Sequence, residues 1–121
     1  MTGRNAAVGA YGERVAARHL ADSGYELLDA NWRCRDGELD LVAREGDCLV
    51  VAEVKTRTSS RFGSPIEAIT PRKAARLRRL AGAWLAAHPG AGTGLRGVRI
   101  DIVGVECPSR GAAIVTHLRG V

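Results

Sequence analysis

Hydrophobic residues recur at three- and four-residue intervals in two stretches of this 121-residue chain. The first stretch covers about residues 5–23 and is followed by Gly24, a residue type that commonly ends helices. The second begins at Thr70-Pro71, which is typical of a helix N-terminus, and runs to about residue 88 before another proline. Ser64 with Glu67 gives an earlier capping-box signal. The pattern therefore predicts two main helices.

Five other segments have the composition of β-strands, rich in Leu, Val and Ile and bounded by turn residues. These segments span residues 25–33, 38–43, 48–56, 98–106 and 112–118. The third is apolar enough for a central position that is covered on both faces. The order helix, three strands, helix, two strands predicts an α/β fold with a mixed central sheet flanked by helices. We expect an antiparallel meander of the first three strands and a parallel return after the second helix.

Asp40, Glu53 and Lys55 fall on the second and third predicted strands. Because side chains alternate along a strand, Glu53 and Lys55 share one face. The polar stretch 44–47 is suited to a hairpin turn. A two- or four-residue loop there places Asp40 either directly opposite Glu53 or diagonally from it. Such like charges repel, and a divalent cation between them would turn the repulsion into coordination. The cluster predicts a site for metal-dependent phosphodiester cleavage.

In this hypothesis Asp40 and Glu53 are metal ligands for Mg²⁺, which prefers carboxylate oxygens and retained waters, with Mn²⁺ as a substitute. The metal would polarise the scissile phosphate and activate a bound water. Lys55 would stabilise hydroxide or the charge that develops on the phosphate. The alternative interpretation is a surface salt bridge between Lys55 and either acid on a solvated strand face.

Glu13 is a further candidate because it borders the apolar stripe of the first helix, which contains Ala16 and Leu20. A carboxylate there would lie near the sheet. Since burying it unpaired is unfavourable, it would need a metal-bound water, Lys55 or an arginine as a partner. The alternative is a first-turn glutamate that complements the helix dipole.

Basic residues form a second stripe on the predicted second helix and continue into the loop before it. They are Arg57, Arg61, Arg72, Lys73, Arg76 and Arg79. Such residues could follow the phosphates of a nucleic acid and give salt-sensitive affinity without reading sequence. The alternative is an ordinary solvated helix face. Asp101, a charge within an apolar strand, is expected to pair with an arginine such as Arg99 or Arg119.

The composition favours a polyanionic partner. The net charge is +5, and 16 of the 18 basic residues are Arg, so only Lys55 and Lys73 are lysines. In a chain that uses arginine almost throughout, a lysine two residues after Glu53 suggests that this position needs an ammonium group. Ammonium and guanidinium are not interchangeable, because they differ in size and pKa. Only five residues are aromatic, so a stacking platform for single-stranded bases is poorly supplied.

Other classes of protein find little support. The three cysteines contain no C-x-x-C pair and indicate neither a disulfide framework nor a zinc ribbon. No stretch approaches 18 apolar residues, and the first ten residues lack the apolar centre of a signal peptide. We therefore expect one domain over residues 1–121, a cytoplasmic location and no membrane contact.

Seven motifs, taken in order, resemble the YraN family of small bacterial proteins, a predicted-endonuclease group. They are Gly12-Glu13, Asn31-Trp32-Arg33, Gly37 to Leu41, Glu53 to Arg57, Phe62 to Pro65, Thr70 to Lys73 and Arg99 to Asp101. The resemblance covers about residues 5–105. It leaves residues 107–121 as a C-terminal strand and tail. That family is similar to archaeal Holliday-junction resolvases and to the PD-(D/E)xK superfamily of restriction-endonuclease-like proteins.

The resemblance implies an αβββαβ core in which Glu13, Asp40, Glu53 and Lys55 assemble one Mg²⁺ site, with Glu13 as a third metal ligand. Leu39 stands where the superfamily has a nominal proline, a departure common among its diverged members. The implied activity is that of a metal-dependent endodeoxyribonuclease, a hydrolase that cuts DNA, with branched repair or recombination intermediates among its candidate substrates. Because resolvases act as dimers, a homodimer is also implied.

Two other functions stay open at this point. One is a non-catalytic nucleic-acid-binding module that retains the nuclease scaffold, in which the basic helix dominates and Mg²⁺ makes no difference. The other is an adaptor whose basic helix meets an acidic protein partner.

Overall fold

The computed structural model of the protein describes residues 3–58 and 69–121. Its elements are α1 (Gly3–Asp22), β1 (Glu26–Cys34), β2 (Gly37–Glu45), β3 (Cys48–Arg57), α2 (Pro71–Ala87), β4 (Gly97–Glu106) and β5 (Ile114–Leu118). The strands form one sheet in the order β1-β2-β3-β4-β5. The strand pair β3 and β4 is parallel, and the other neighbours are antiparallel. The predicted α/β fold with a mixed sheet and an αβββαβ order is confirmed.

The helix signals fall where local chemistry predicts them. Thr70 is the N-cap of α2, and its hydroxyl oxygen accepts a 3.1 Å hydrogen bond from the backbone N–H of Lys73. Pro71 occupies the first helical position, where a missing N–H is no loss. The capping-box signal at Ser64 and Glu67 lies outside the described residues. No helix in the described part of the chain is long and apolar enough to cross a membrane.

Each face of the sheet is covered by one helix. Ala16 and Leu20 of α1 pack with Val50 of β3, whereas Leu77 and Trp84 of α2 pack on the opposite face. The opposite face contains Leu49, Val51 and Ile100. Successive residues of β3 thus enter different cores, which explains its unbroken apolar sequence and confirms its predicted central position.

A glycine lets α1 approach β3 at the end of the sheet where the candidate site lies. A Cβ atom on Gly12 would lie 2.6 Å from Cγ2 of Thr56 and overlap the rest of that side chain. The backbone of α1 therefore packs directly against a side chain of β3 here. This close packing fixes the position of the neighbouring Glu13 relative to the sheet.

The hairpin between β2 and β3 has the shorter of the two predicted loops. Glu45 pairs with Cys48, which leaves Gly46 and Asp47 as the two loop residues. Gly46 has a φ of 60°, as such tight turns require. The register established by this turn decides which residues face each other further along the hairpin.

Candidate active site

The register of the β2–β3 hairpin places Asp40 opposite Glu53. The backbone pairing ends at Leu41 and Ala52, and the next position on each strand carries one of the two acids. Beyond this point a side-chain bond joins the two strands. The Oδ2 atom of Asp40 accepts a 2.9 Å hydrogen bond from the backbone N–H of Val54. Direct opposition, one of the two predicted alternatives, is the one observed.

Asp40 is held in an unfavourable environment for a negative charge. Its half-buried position raises its pKa, and a hydrogen bond and the negative charge of Glu53 raise it further, to about 7. The charge of Glu13 acts in the same direction, whereas the hydrogen bond from Val54 opposes the shift. Asp40 and Glu53 therefore interact as a pair of acids, close enough to share a proton or a cation.

Two lysines neutralise this pair. The Nζ atom of Lys73, in the first turn of α2, lies 3.2 Å from Oε2 of Glu53. Lys55 lies on the same strand face as Glu53, and the negative charge of Glu53 favours its protonated form. Burial lowers the pKa of Lys55, whereas the charge of Glu53 and its hydrogen bond outweigh burial at Lys73 and raise the pKa of Lys73. Glu53 thus has one lysine nearby on its own strand, β3, and a second on α2.

Glu13 lies on α1, across the sheet from α2, and is half-buried. The negative charge of Glu13 contributes to the raised pKa of Asp40. The adjacent Gly12 packs against Thr56 of β3. Among the residues described, no three His, Cys, Asp or Glu side chains are grouped closely enough to hold a metal ion. The structure therefore brings Asp40, Glu53 and Lys55 together and leaves Glu13 as a more distant charge.

An open cleft with a volume of about 490 Å³ lies next to the acid pair. Its lining includes Asp40 and Glu53 on the floor and Lys73 and Arg76 from α2. Residues 33–38 at the β1–β2 turn also line the cleft and contribute Arg33 and Arg35 among others. These two arginines were not predicted as part of the site. The signal was available, since β2 begins only three residues before Asp40 and its preceding turn must lie beside it.

The residues of the predicted basic stripe differ in their exposure and in their hydrogen bonds. Arg72 and Arg79 are exposed and line a second groove along α2, together with Lys73 and Arg76. Arg76 also donates a 2.9 Å hydrogen bond from Nη2 to the carbonyl oxygen of Asp36, so it ties the β1–β2 turn to α2. Arg57 is half-buried at the end of β3, and Arg61 lies outside the described residues. The stripe therefore combines exposed cations with one structural anchor.

The donor set fits Mg²⁺ in part. Mg²⁺ typically takes one or two protein carboxylates and keeps several waters, and Asp40 and Glu53 supply two carboxylates on one face. Their mutual repulsion gives them a reason to bind a cation. The pairing of Glu53 with Lys73 means that a metal would have to share or displace that ammonium.

A second polar cluster surrounds Asp101, whose side chain is fully buried. Arg99 donates from Nε to Oδ1 at 2.8 Å, and Tyr25 donates its hydroxyl to Oδ2 at 3.0 Å. His117 and the backbone N–H of Gly120 also bond to this carboxylate, at 2.8 and 3.1 Å. Burial alone would raise the pKa of Asp101, but these bonds outweigh it and hold the pKa below its usual value. The predicted pairing with an arginine is confirmed for Arg99.

The cluster ties the C-terminal strand to α1. Nε2 of His19 lies 3.0 Å from Nδ1 of His117, whose other nitrogen faces Asp101. Arg99 extends the cluster to Glu45 with a 2.8 Å ion pair. No buried side-chain nitrogen or oxygen in the described part of the chain lacks a hydrogen-bond partner, so we assign this cluster a structural role.

The fold and site together define an α/β protein with a mixed five-stranded sheet and a half-buried acid–lysine cluster at the end of one hairpin. The chain belongs to UPF0102, described as an uncharacterised protein family, whose model matches residues 12–105. The match contains the whole acid–lysine cluster and ends before β5. It confirms the family level of the resemblance to YraN-like proteins, while the relationship to a nuclease superfamily stays a prediction.

Relatives from several bacteria are similar over nearly the whole chain. A UPF0102 protein of Kineococcus radiotolerans is 61% identical over 115 residues, which cover 95% of this chain and 93% of the relative. One from Streptomyces coelicolor is 58% identical over 116 residues, covering 95% and 88%. One from Frankia casuarinae is 57% identical over 114 residues, covering 94% of each. Their names identify a family and no activity.

Proposed function

We propose that this protein is a Mg²⁺-dependent endonuclease that hydrolyses DNA phosphodiester bonds, with branched repair or recombination intermediates as its candidate substrates. The observation that carries the proposal is the half-buried pair of Asp40 and Glu53, with Lys55 beside it. A carboxyl group whose pKa is raised by burial and by a second acid, as that of Asp40 is, weakens a fold, and such groups are concentrated at sites that bind cations or transfer protons. The αβββαβ order is compatible with the core of the restriction-endonuclease-like superfamily.

Each residue of the cluster has a distinct role in this proposal. Asp40 and Glu53 would hold the Mg²⁺, which would polarise the scissile phosphate and lower the pKa of a bound water. Lys55 would stabilise the attacking oxygen or the negative charge that develops on the phosphate. The hydrogen bond from Val54 keeps the Asp40 carboxylate facing Glu53 before any ligand arrives, so little reorganisation is needed. Glu13 would add negative charge behind the site and favour cation binding.

The surroundings of the acid pair support a nucleic acid as the substrate. The cleft is bordered by Arg33 and Arg35 on the turn side and by the basic face of α2 on the other. Arg72 and Arg79 extend this positive surface away from the acids, in the direction that a phosphate backbone could follow. A homodimer would present two such sites to a two-fold symmetric junction.

A cleavage assay with a matched variant tests the proposal. Labelled single-stranded, duplex, flap and four-way-junction DNA would be incubated with the protein in Mg²⁺, Mn²⁺ or EDTA. We expect cleavage that requires metal and that disappears in Asp40→Asn, while DNA affinity stays within about twofold of the unmodified protein. Cleavage retained by Asp40→Asn would contradict the assignment of the site.

The second candidate is a non-catalytic nucleic-acid-binding module. It is favoured by one observation, the ion pair in which Lys73 already neutralises Glu53, one of the two acids that would hold a metal. In that case the same assay would give binding without cutting, equal in both proteins and indifferent to Mg²⁺. Binding would then fall with added salt as the arginine contacts are screened.

A further inference from the structure

Both lysines of the chain meet at one carboxylate. Lys73 reaches Glu53 from α2, with a distance of 3.2 Å between Nζ and Oε2, and the charge of Lys55 on β3 is attracted by the same carboxylate and repelled by Lys73. The other 16 basic residues are arginines. The side chain of Glu53 is only 14% exposed and that of Lys73 is 36% exposed, so this is a partly buried ion pair at the cleft floor. Removing one partner of such a pair leaves the other charge partly buried and uncompensated.

The ion pair uses a carboxylate that a divalent cation would also need. An ammonium and a divalent cation repel each other strongly at the few-ångström distance that sharing one carboxylate imposes. The two cations therefore cannot both be bound tightly to Glu53. One of them must yield, and the four-carbon stem of lysine allows the ammonium to move while its backbone stays in α2.

The place to which Lys73 could move is already lined with cations. The groove along α2 contains Lys73 itself together with Arg72, Arg76 and Arg79. A phosphate bound in this groove would attract the Lys73 ammonium away from Glu53. Lys73 thus lies on the boundary between the acid pair and the basic groove, and it lines the cavities of both.

We propose that Lys73 couples cation binding to nucleic-acid binding: its ammonium competes with a divalent cation for Glu53, and a phosphate in the α2 groove draws it away. By thermodynamic linkage, each ligand then tightens the binding of the other by the same factor. The part of this inference that concerns phosphate rests on the proposed function. The competition concerns only the protein and a cation.

The competition is tested with Mn²⁺ alone, by isothermal titration of the full chain without nucleic acid. In Lys73→Gln the competitor is removed, so we expect Mn²⁺ to bind about 3- to 10-fold more tightly. Lys73→Arg keeps a cation and should stay within about twofold of the unmodified protein, as should Arg72→Gln, which lies in the same turn. Thermal melting of each variant checks that the fold is intact.

The outcomes separate this inference from the proposed function. Unchanged or weaker Mn²⁺ binding in Lys73→Gln, with binding still abolished in Asp40→Asn, would overturn the competition and leave the metal site standing. Absence of Mn²⁺ binding in every protein would overturn both.

The coupling is tested with a cleavage-resistant phosphorothioate duplex, whose affinity is measured by fluorescence anisotropy with and without Mn²⁺. We expect Mn²⁺ to tighten duplex binding to the unmodified protein and to have at least about 3-fold less effect in Lys73→Gln. A Mn²⁺ effect of equal size in both proteins would show that Lys73 does not link the two ligands. Arg79→Gln, in the same groove but away from Glu53, should weaken duplex binding and leave the Mn²⁺ effect unchanged.

Discussion

The carboxylate of Asp40 accepts a 2.9 Å hydrogen bond from the backbone N–H of Val54, the residue that follows Glu53. This bond replaces a backbone ladder bond at the point where β2 and β3 stop pairing. It holds the two acids on one sheet face, although burial and their mutual repulsion raise the pKa of Asp40 to about 7. Local departures from favourable packing are expected where a fold serves binding or catalysis.

The unfavourable environment of the Asp40 carboxylate predicts that replacing this residue by asparagine stabilises the fold. The pKa of Asp40 is raised from 3.8 to about 7, so ionisation is disfavoured in the folded state. The contribution of protonated Asp40 to the free energy of unfolding is therefore complete below pH 4 and is lost progressively as the pH rises toward 7. Asp40→Asn removes this titration and keeps an oxygen to accept the Val54 bond. Without divalent cations we expect it to be more stable at about pH 8 by roughly 1–2 kcal/mol, with little difference at about pH 4.

Urea unfolding at both pH values measures this difference. Asp47→Asn is the matched control, since Asp47 lies in the exposed β2–β3 turn and pairs only loosely with Arg96. That change should alter stability by less than about 0.5 kcal/mol at either pH. An Asp40→Asn protein that is equally destabilised at both pH values would show that Asp40 is a structural residue.

The contact between α1 and β3 predicts opposite effects for two glycines of one helix. A Cβ on Gly12 would overlap the side chain of Thr56, so Gly12→Ala should destabilise the protein by about 2–3 kcal/mol. A Cβ on Gly9 would meet no atom within 4 Å, so Gly9→Ala should stabilise it by up to about 1 kcal/mol through helix propensity. Thermal unfolding compares the two variants. Partial rescue of Gly12→Ala by Thr56→Ala would locate the clash, and a neutral Gly12→Ala would exclude the close contact.

Much of the fold follows from the sequence because its local signals agree. The apolar run of β3 indicated a strand covered on both faces, and Val50 and Val51 do enter opposite cores. The polar stretch 44–47 indicated a hairpin with a loop of two or four residues, and the observed two-residue loop brings Asp40 opposite Glu53. These features depend on neighbours close in the chain, where periodicity and turn chemistry are informative.

What the sequence did not indicate depends on distant residues. The pairing of Lys73 with Glu53 requires the approach of α2 to β3, which no local pattern specifies. The role of His117 in holding Asp101 depends on how β5 pairs with β4. Arg76 was expected on a phosphate track, and its bond to Asp36 emerges only from the packing of a turn against α2. Local reasoning places residues on faces, and tertiary packing decides their partners.

The buried cluster around Asp101 predicts a pH-dependent loss of stability. Its carboxylate accepts bonds from Arg99, Tyr25 and His117, and an asparagine would turn an N–H₂ group toward several of these donors. We expect Asp101→Asn to cost about 3 kcal/mol near pH 7. Because the pKa of Asp101 is lowered in the fold, its contribution is present above about pH 4 and lost as the pH falls further. The difference between the two proteins should therefore shrink at about pH 3.

Urea unfolding curves at the two pH values provide this comparison, with Asp22→Asn as a control. Asp22 forms an exposed ion pair with Arg18 on α1, and its loss should change stability by less than about 0.5 kcal/mol. If Asp101→Asn were no worse than Asp22→Asn near neutral pH, the cluster would contribute nothing to holding the C-terminal strand.

The arginines of α2 predict how nucleic-acid binding responds to salt. Arg72 and Arg79 are exposed along one groove, and each contact with a phosphate releases about one counterion. Arg72→Ala and Arg79→Ala should each reduce the slope of log affinity against log salt by about 1 and weaken binding equally for all sequences. Arg18→Ala, on the other helix, should leave the slope unchanged. Fluorescence anisotropy over a series of salt concentrations measures these slopes. An unchanged slope in both α2 variants would remove this groove from the binding surface, whereas a loss restricted to one sequence would indicate base contacts instead of phosphate contacts.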